Sequence, residues 1–456
     1  DQINVSAPNI KFQKFIQSDL KNIRDLIIPF FMRRRKPRIK YDKPILLHSL
    51  FSDLGSKILD DWEASDGLSY SITDWLNCFG PSIPTSQMQE QSQSLWRDLS
   101  TDPSLHGFFV YKGVNLWDYF EGIFQQIFCL HYPLLLSEIK RAKKAFKKGP
   151  IAIISGGMVG PNYIYGKICR LHKKPFFSHH YTGFVGVSIL PTHERYDFAE
   201  CDFFICGGPG AKEALREPSP ESRWRSGTKR AQAIPTGLPW LKEDMDKYRQ
   251  PRIFSSKKVK RIMVVLSALL GDCRFLGYVF TPEIESARFM LRVVQRLLEE
   301  EIEIVIKQPL SKRYPQQTHP VVDWLRSKNF SNVAFADDVE LMQCINSADA
   351  FIMESPSTPL LKLVATRLPI LLSVDCKHYL LNARAKELLK RRCTVFAEDI
   401  ESFMLGLEEF LNVHIRNGEP VSGEVDDTFL YEFGLGSDDF PSENIVKVIR
   451  DKINHN

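Results

Sequence analysis

Residues 350–361 read AFIMESPSTPLL: a short apolar run, then a carboxylate, then hydroxyl side chains and a second apolar run. The first run predicts a buried strand. Thr358 is a suitable N-cap, and Pro359 occupies the favoured first position of a helix, so a helix is predicted next. The stretch therefore predicts a strand–loop–helix unit of an α/β fold, with a polar loop at the carboxyl end of the strand.

The same alternation continues along the chain. In the second half we predict strands at residues 261–266, 303–306, 333–336, 350–353 and 369–372, and helices at 282–300, 321–328, 339–347, 359–366 and 399–411. In the first half we predict strands at residues 44–50, 108–111, 151–154, 176–179 and 203–206, and a long helix from about 116 to 148. This order is typical of two doubly wound, Rossmann-like domains with parallel sheets.

The length of 456 residues agrees with two domains, since one domain typically has about 150 residues. A polar stretch rich in Lys, Asp, Glu and Ser predicts a linker at residues 241–260. We therefore predict domains at residues 1–240 and 261–424. Residues 425–456 should form a tail whose amphipathic helix could pack back on either half, the first domain included.

Composition excludes several functions. Sixty Lys and Arg against 55 Asp and Glu leave a net charge of +5, too small to indicate nucleic acid. The nine cysteines are isolated, which favours a reducing compartment and no metal. No signal peptide is evident, and charged residues interrupt the longest apolar stretch. We expect a cytoplasmic protein without a metal or other cofactor.

Ligands of open parallel sheets bind beyond the carboxyl ends of the strands, so the residues there are candidate ligands. A lysine at such an end can meet a phosphate, and the helix start after residue 357 offers free N–H groups. Residues 267–271 match neither a dinucleotide fingerprint nor a Walker loop, which disfavours dehydrogenases and P-loop enzymes. The candidates are Ser267, Lys307, Gln308, Glu354, Ser355, Pro356, Ser357 and Thr358.

Two doubly wound halves, a linker and this acidic, hydroxyl-rich loop resemble a nucleotide-sugar glycosyltransferase of the GT-B fold. The turn IPTGLPW at residues 234–240 resembles the Gly-x-Pro turn that closes the first domain of many such enzymes. The loop at Glu354 resembles those of enzymes that build bacterial capsule and lipopolysaccharide. The resemblance implies that the second domain binds a CMP-, UDP- or GDP-linked sugar, the first domain binds the acceptor, and a cleft lies between them.

The sequence departs from the family patterns at two places. Lys307-Gln308-Pro309 stands where related sialyl- and ulosonic-acid transferases have Lys-x-His-Pro, and the nearby His319-Pro320 pair is predicted at a helix start. Lys362 stands where the large retaining group has its second glutamate, and a lysine cannot accept hydrogen bonds from ribose hydroxyls. That retaining group is therefore disfavoured.

The first half supplies candidates for the acceptor side. A glycine turn at Gly156 and Gly157, and Tyr181 after the next strand, could contact the acceptor. The general base that deprotonates it could be His179, His180 or Glu194. Adjacent residues of a strand point to opposite faces, so only one of the two histidines can face the substrate. Asp53 is a further candidate base, and Asp337 or Asp338 could be the nucleophile of a retaining enzyme.

Two basic clusters, residues 30–40 and 140–148, lie in the first half. They favour an anionic partner, either the inner face of a membrane or a lipid-linked phosphorylated acceptor, with solvated helix faces as the alternative. Two other functions stay open. One is a nucleotide-sugar 2-epimerase of the same fold, and the other is a catalytically silent binding module.

Overall fold

The computed structural model describes residues 45–48, 70–73, 85–107, 109–147, 149–156, 162–179, 185–188, 201–216, 231–248, 258–267, 282–309, 319–377, 379–421, 425–436 and 443–454. Packing divides the chain into two units. One comprises Asp1–Ser49, Asp66–Ser155 and Val159–Pro175, and the other Leu50–Ser65, Gly156–Met158 and Phe176–Asn456.

The strands are β1 (Ile45–His48), β2 (Tyr70–Thr73), β3 (Val110–Tyr111), β4 (Val114–Asn115), β5 (Ile153–Gly156), β6 (Phe176–His179), β7 (Phe203–Cys206), β8 (Gln232–Pro235), β9 (Arg261–Val265), β10 (Glu303–Lys307), β11 (Val333–Phe335), β12 (Ala350–Met353), β13 (Ile370–Ser373) and β14 (Val395–Ala397).

The helices are α1 (Ser86–Ser100), α2 (Pro103–Gly107), α3 (Trp117–Phe146), α4 (Asn162–Leu171), α5 (Pro209–Ala214), α6 (Pro239–Tyr248), α7 (Glu283–Leu297), α8 (Pro320–Lys328), α9 (Leu341–Cys344), α10 (Thr358–Val364), α11 (Ala383–Arg392), α12 (Ile400–Phe410), α13 (Thr428–Leu430) and α14 (Glu443–Asn454). A 3₁₀ turn follows α9, and π-helical turns follow α12 and α13.

The second sheet has six strands in the order β11-β10-β9-β12-β13-β14, all paired in parallel. This is the doubly wound order, because the chain runs outward from β9 to one edge and then crosses to β12. The five predicted strands are all present. β14 and α11 were missed, since β14 is short, half-buried at Val395 and Phe396, and follows a run of cations.

The first sheet has the order β2-β1-β5-β6-β7-β8. β1 pairs in parallel with β2 and β5, and β7 pairs in parallel with β6 and β8. β6 and β7 have the predicted bounds, and their residues are buried, as expected for a central strand. The prediction of two doubly wound α/β sheets is confirmed.

The predicted strand at residues 108–111 is wrong as a strand of this sheet. Val110–Tyr111 pairs with Val114–Asn115 in an antiparallel hairpin. Lys112 and Gly113 form its turn with φ of 49° and 80°, a left-handed pair that suits a two-residue hairpin turn. Val110 is 52% exposed, so its apolar side chain does not mark a buried strand here.

The long predicted helix is present as α3. The helix begins at Trp117, and Asn115 Oδ1 accepts a hydrogen bond from the Trp117 backbone N–H at 3.0 Å, an Asx turn just before the helix. After the helix, Gly149 has a φ of 65°, a backbone conformation that ends helices and favours glycine. The helix predicted from about residue 116 to 148 is therefore observed, with Asn115 before it and Gly149 after it.

The predicted domain boundaries at residues 240 and 260 stay a prediction. The first part of the polar stretch between them is helical, because α6 covers Pro239–Tyr248. The turn before it is close-packed. Gly237 has a φ of 74°, and a Cβ there would collide with the Leu435 carbonyl. The Leu238 N–H donates to the Gly434 carbonyl at 2.7 Å. Residues 434–435 of the tail therefore lie against the end of β8.

Candidate functional site

The carboxyl ends of β9, β10 and β12 lie side by side. Lys307, the last residue of β10, and Met353, the last of β12, are both in register with Val265, the last of β9. The chain changes direction between β9 and β12, and doubly wound sheets bind ligands at such a switch point. The candidate residues just beyond these strand ends are Ser267, Gln308, Glu354 and Ser355.

Glu354 faces the protein interior and is only 7% exposed. Its Oε1 accepts from the Ser267 backbone N–H at 2.7 Å, and its Oε2 accepts from Ser286 Oγ at 2.7 Å. The Oγ atoms of Ser267 and Ser355 are hydrogen-bonded at 2.9 Å. The Glu354 carboxylate therefore braces the loop after β9 against α7, and the half-buried serines are the groups left to meet a ligand.

Burial raises the pKa of Glu354, although hydrogen bonds from Ser286 and Ser267 oppose the change. A carboxyl whose folded pKa exceeds its unfolded value stabilises the fold below the unfolded pKa, and this stability is lost as pH rises through the folded pKa. We therefore expect the free energy of unfolding of the wild type to fall relative to Glu354→Gln across that window. The loss is about 1.4 kcal/mol for each unit of pKa difference.

Urea unfolding of both proteins at a series of pH values measures this difference. Glu354→Ala is the second variant, because it leaves the Ser267 N–H without its acceptor and should cost about 1–3 kcal/mol at every pH. Parallel pH profiles for wild type and Glu354→Gln would contradict the role of a buried, ionisable brace.

Lys307 places an ammonium group at the sheet edge in a largely buried position, with 5% of the residue exposed. Its Nζ donates to the Gln308 carbonyl. Burial lowers the pKa of Lys307, while the nearby Cys344, Glu340, Asp337 and Asp338 favour its charged form. A partly desolvated cation interacts more strongly with a phosphate than one in bulk water.

Gln308 and Asp337 follow the carboxyl ends of β10 and β11, which are neighbours in the sheet. Gln308 Nε2 donates to Asp337 Oδ1 at 2.7 Å, and Arg326 pairs with Asp337 Oδ2. Both carboxylate oxygens of Asp337 are thus bound by side chains. The neighbouring Asp338 has a φ of 50° in the turn after β11. A nucleophilic role for Asp337 would require breaking these contacts.

The helix after β12 begins at Thr358, one residue before the predicted start. Ser357, not Thr358, is the N-cap of α10, and its side chain makes no capping hydrogen bond. The extended backbone of Ser357, with φ −146° and ψ −179°, marks the boundary, and Pro359 lies in the first turn. Pro356 is buried, and Ser357 and Thr358 are half-buried. The expectation that Thr358 caps this helix is therefore wrong.

The structure describes the surroundings of His319 and Lys362, which the two departures from the family patterns concern. His319 is the N-cap of α8, as predicted, and its Nδ1 accepts from the Val321 N–H at 3.2 Å. Burial lowers the pKa of His319 to about 4. Lys362 on α10 lies 3.8 Å from Asp244 Oδ2 and over the Trp240 ring at 5.3 Å. It therefore contacts α6.

The acceptor-side candidates are only partly described. Gly156 ends β5 and is buried. His179 ends β6 with 0% exposure, which places its ring in the core. The remaining calls lie outside the described residues: Gly157, His180, Tyr181, Glu194, Asp53 and the basic cluster at residues 30–40.

Sequence reasoning missed Ser286, which donates to the buried carboxylate of Glu354 from the first turns of α7. The helix was predicted, but nothing in the sequence links a serine to a glutamate 68 residues away. Only the packing of α7 beside β9 and β12 creates this contact.

Within the described ranges, His, Cys, Asp and Glu side chains form no group of three or more that could hold a metal ion. In the same part of the chain, no helix is both long enough and apolar enough to cross a membrane.

The sequence matches no protein-family model and no curated protein. Among solved structures, the chain is similar to the UDP-GlcNAc 2-epimerase of Methanocaldococcus jannaschii, in complex with UDP-GlcNAc and UDP, with 12% identity and a TM-score of 0.47 over 90% of this chain and 100% of that one. It is also similar to a glycosyltransferase of Rickettsia africae, with 11% identity and a TM-score of 0.47 over 91% and 100% of the two chains.

A third similar structure is MurG of Acinetobacter baumannii, with 10% identity and a TM-score of 0.43 over 90% of this chain and 99% of that one. These neighbours have GT-B-like folds. In the present chain, the strands of both six-stranded sheets follow the doubly wound order.

Proposed function

We propose that this protein is a glycosyltransferase that moves a sugar from a nucleotide-sugar donor to a saccharide or lipid-linked acceptor. The proposal rests on the carboxyl end of the second sheet. There Lys307, which is buried, is in register with Val265, the last residue of β9, and Ser267 follows two residues later. A cation and hydroxyl groups at a switch point suit a nucleoside phosphate. Bacterial surface polysaccharide is the proposed product class.

In this proposal the protein stabilises the departing nucleotide electrostatically. As the glycosidic bond to the phosphate breaks, negative charge develops on the phosphate oxygen. Lys307 offsets that charge, and Gln308, Ser267 and Ser355 orient the nucleotide. A base from the first half, His180 or Glu194, takes the proton of the acceptor hydroxyl as that oxygen attacks the sugar.

Nucleotide titration tests the proposal. Calorimetry with CMP, UDP, GDP and their sugar conjugates should show preferential binding of one nucleotide base. A nucleotide-release assay with the preferred donor should then depend on an added acceptor. Conversion of the donor without any acceptor would identify an epimerase instead. Binding of none of these nucleotides would leave a silent binding module.

We expect turnover to survive chelation, because the proposed stabilisation of the leaving group relies on Lys307 rather than on a divalent ion. The nucleotide-release rate measured after dialysis against EDTA should equal the untreated rate. Lost activity that magnesium or manganese restores would contradict this expectation.

A further inference from the structure

Gln308 follows the last residue of β10 and has a side-chain amide whose orientation is fixed. Its Nε2 donates to Asp337 Oδ1 at 2.7 Å. A carboxylate only accepts hydrogen bonds, so the amide has to turn its NH₂ group toward Asp337. The amide oxygen, Oε1, therefore points away from Asp337, and it has no hydrogen-bond partner among the residues that the structure describes. Gln308 is half-buried, which leaves this oxygen within reach of a ligand.

Asp337 is itself held in place through its other carboxylate oxygen. Arg326 donates to Asp337 Oδ2. The guanidinium of Arg326 also lies over the Phe335 ring, 5.0 Å from the ring centroid. Phe335 is the last residue of β11, which is the neighbour of β10 in the sheet. A chain of contacts thus runs from β11 through Arg326 and Asp337 to the Gln308 amide, and this chain sets the direction of Oε1.

The position of Gln308 suits the ribose of a nucleotide whose phosphate lies at Ser267 and Ser355. β10 is the neighbour of β9, and neighbouring strands are about 4.8 Å apart. The ribose is the unit of a nucleotide that follows its phosphate, so it can lie one strand further along the carboxyl end of the sheet. On the other side, beyond β12, the end of β13 is covered, because Ser373 is 3% exposed and Val374 is fully buried. The nucleoside is therefore expected on the side of β10.

Ribose hydroxyls can donate hydrogen bonds, and the nearby lysines offer no acceptor for them. Lys307 and Lys362 carry only N–H donors. Lys362 also lies against Asp244 and Trp240 of α6. In dinucleotide-binding sheets of this winding, a side-chain oxygen accepts a hydrogen bond from the ribose 2′-hydroxyl. Gln308 Oε1 offers such an oxygen here.

We propose that Gln308 Oε1 accepts a hydrogen bond from a ribose hydroxyl of the nucleotide, and that Asp337 is the positioning residue that directs this oxygen. The site therefore selects ribonucleotides over their deoxy forms. The inference rests on the proposed function, because it concerns the nucleotide part of the donor. Lys307 meets the phosphate and Gln308 the ribose, so two adjacent residues contact different parts of one nucleotide.

Calorimetric titration of the full chain tests the inference with CMP, UDP and GDP, each compared with its 2′-deoxy and 3′-deoxy forms. The wild type should bind the preferred nucleotide about fivefold more tightly than its 2′-deoxy or its 3′-deoxy form, as expected for one hydrogen bond between uncharged groups. Gln308→Met should abolish this preference, because methionine keeps the unbranched side chain and lacks the amide. Asp337→Asn should reduce it, since an amide at this position can donate as well as accept and no longer fixes the orientation of Gln308.

Lys307→Met is the matched control, because it removes the phosphate contact at the adjacent position. It should weaken binding of the ribonucleotide and of its deoxy forms by the same factor, so that the wild-type preference remains. Equal wild-type affinities for ribonucleotides and both deoxy forms would overturn the inference while the proposed function stands. So would a folded Gln308→Met or Asp337→Asn variant that keeps the wild-type preference. Binding of no nucleotide at all would overturn the inference and the proposed function together.

Discussion

Replacing Lys307 with methionine is expected to weaken nucleotide binding about 10- to 150-fold. This range corresponds to the loss of one charge-assisted hydrogen bond to phosphate, about 1.5–3 kcal/mol. Methionine keeps the unbranched side chain and its packing while removing the ammonium group. Because the position is 5% exposed, the variant loses a desolvated charge, so its melting temperature should be unchanged or higher.

Lys362→Met is the matched control for this experiment. Lys362 lies on α10 of the same sheet unit, but it contacts Asp244 and Trp240 rather than the ends of β9 and β10. Calorimetric titration with the preferred nucleotide should give the wild-type dissociation constant for Lys362→Met and the weaker one for Lys307→Met. Equal affinities for the two variants would remove Lys307 from the proposed site.

The sequence predicted best the elements whose burial is uniform. β6 and β7 were predicted to the residue, because each begins with two phenylalanines and all four of its residues are buried. β8 was missed because Gln232 is exposed and Ala233 and Pro235 are only half-buried. The short hairpin at Val110 was predicted as a strand of the sheet because the sequence of a short apolar segment does not show whether the segment is buried or exposed.

The site was predicted less completely than the fold, because the sequence does not show in which direction a side chain points. The order of strands and loops places Glu354 at the sheet edge, but it does not tell whether the carboxylate points to solvent or inward. The structure turns it inward because Ser286 and the Ser267 N–H offer two donors there. The helix start was displaced by one residue because Ser357 and Thr358 are both good capping residues, and backbone geometry decides between them.

His179, the last residue of β6, and His180, the next residue of the sequence, are expected to respond differently to substitution. His179 has no exposed surface, so His179→Ala should leave a cavity and lower the free energy of unfolding by about 2 kcal/mol or more. With His179 packed in the core, His180 is the other histidine that the sequence offers as the base. His180→Ala should therefore lower kcat about 10²- to 10⁴-fold while keeping the melting temperature and the nucleotide affinity.

Glu194→Gln separates this prediction from its closest alternative. The three variants are compared in the nucleotide-release assay with donor and acceptor, and each is first checked by thermal unfolding. A fully active His180→Ala beside an inactive, folded Glu194→Gln would transfer the role of base to Glu194. If His179→Ala instead stays folded and loses turnover, the ring in the core takes part in the chemistry. Activity in all three would direct the search to Asp53, because Asp337 is already bound by Gln308 and Arg326.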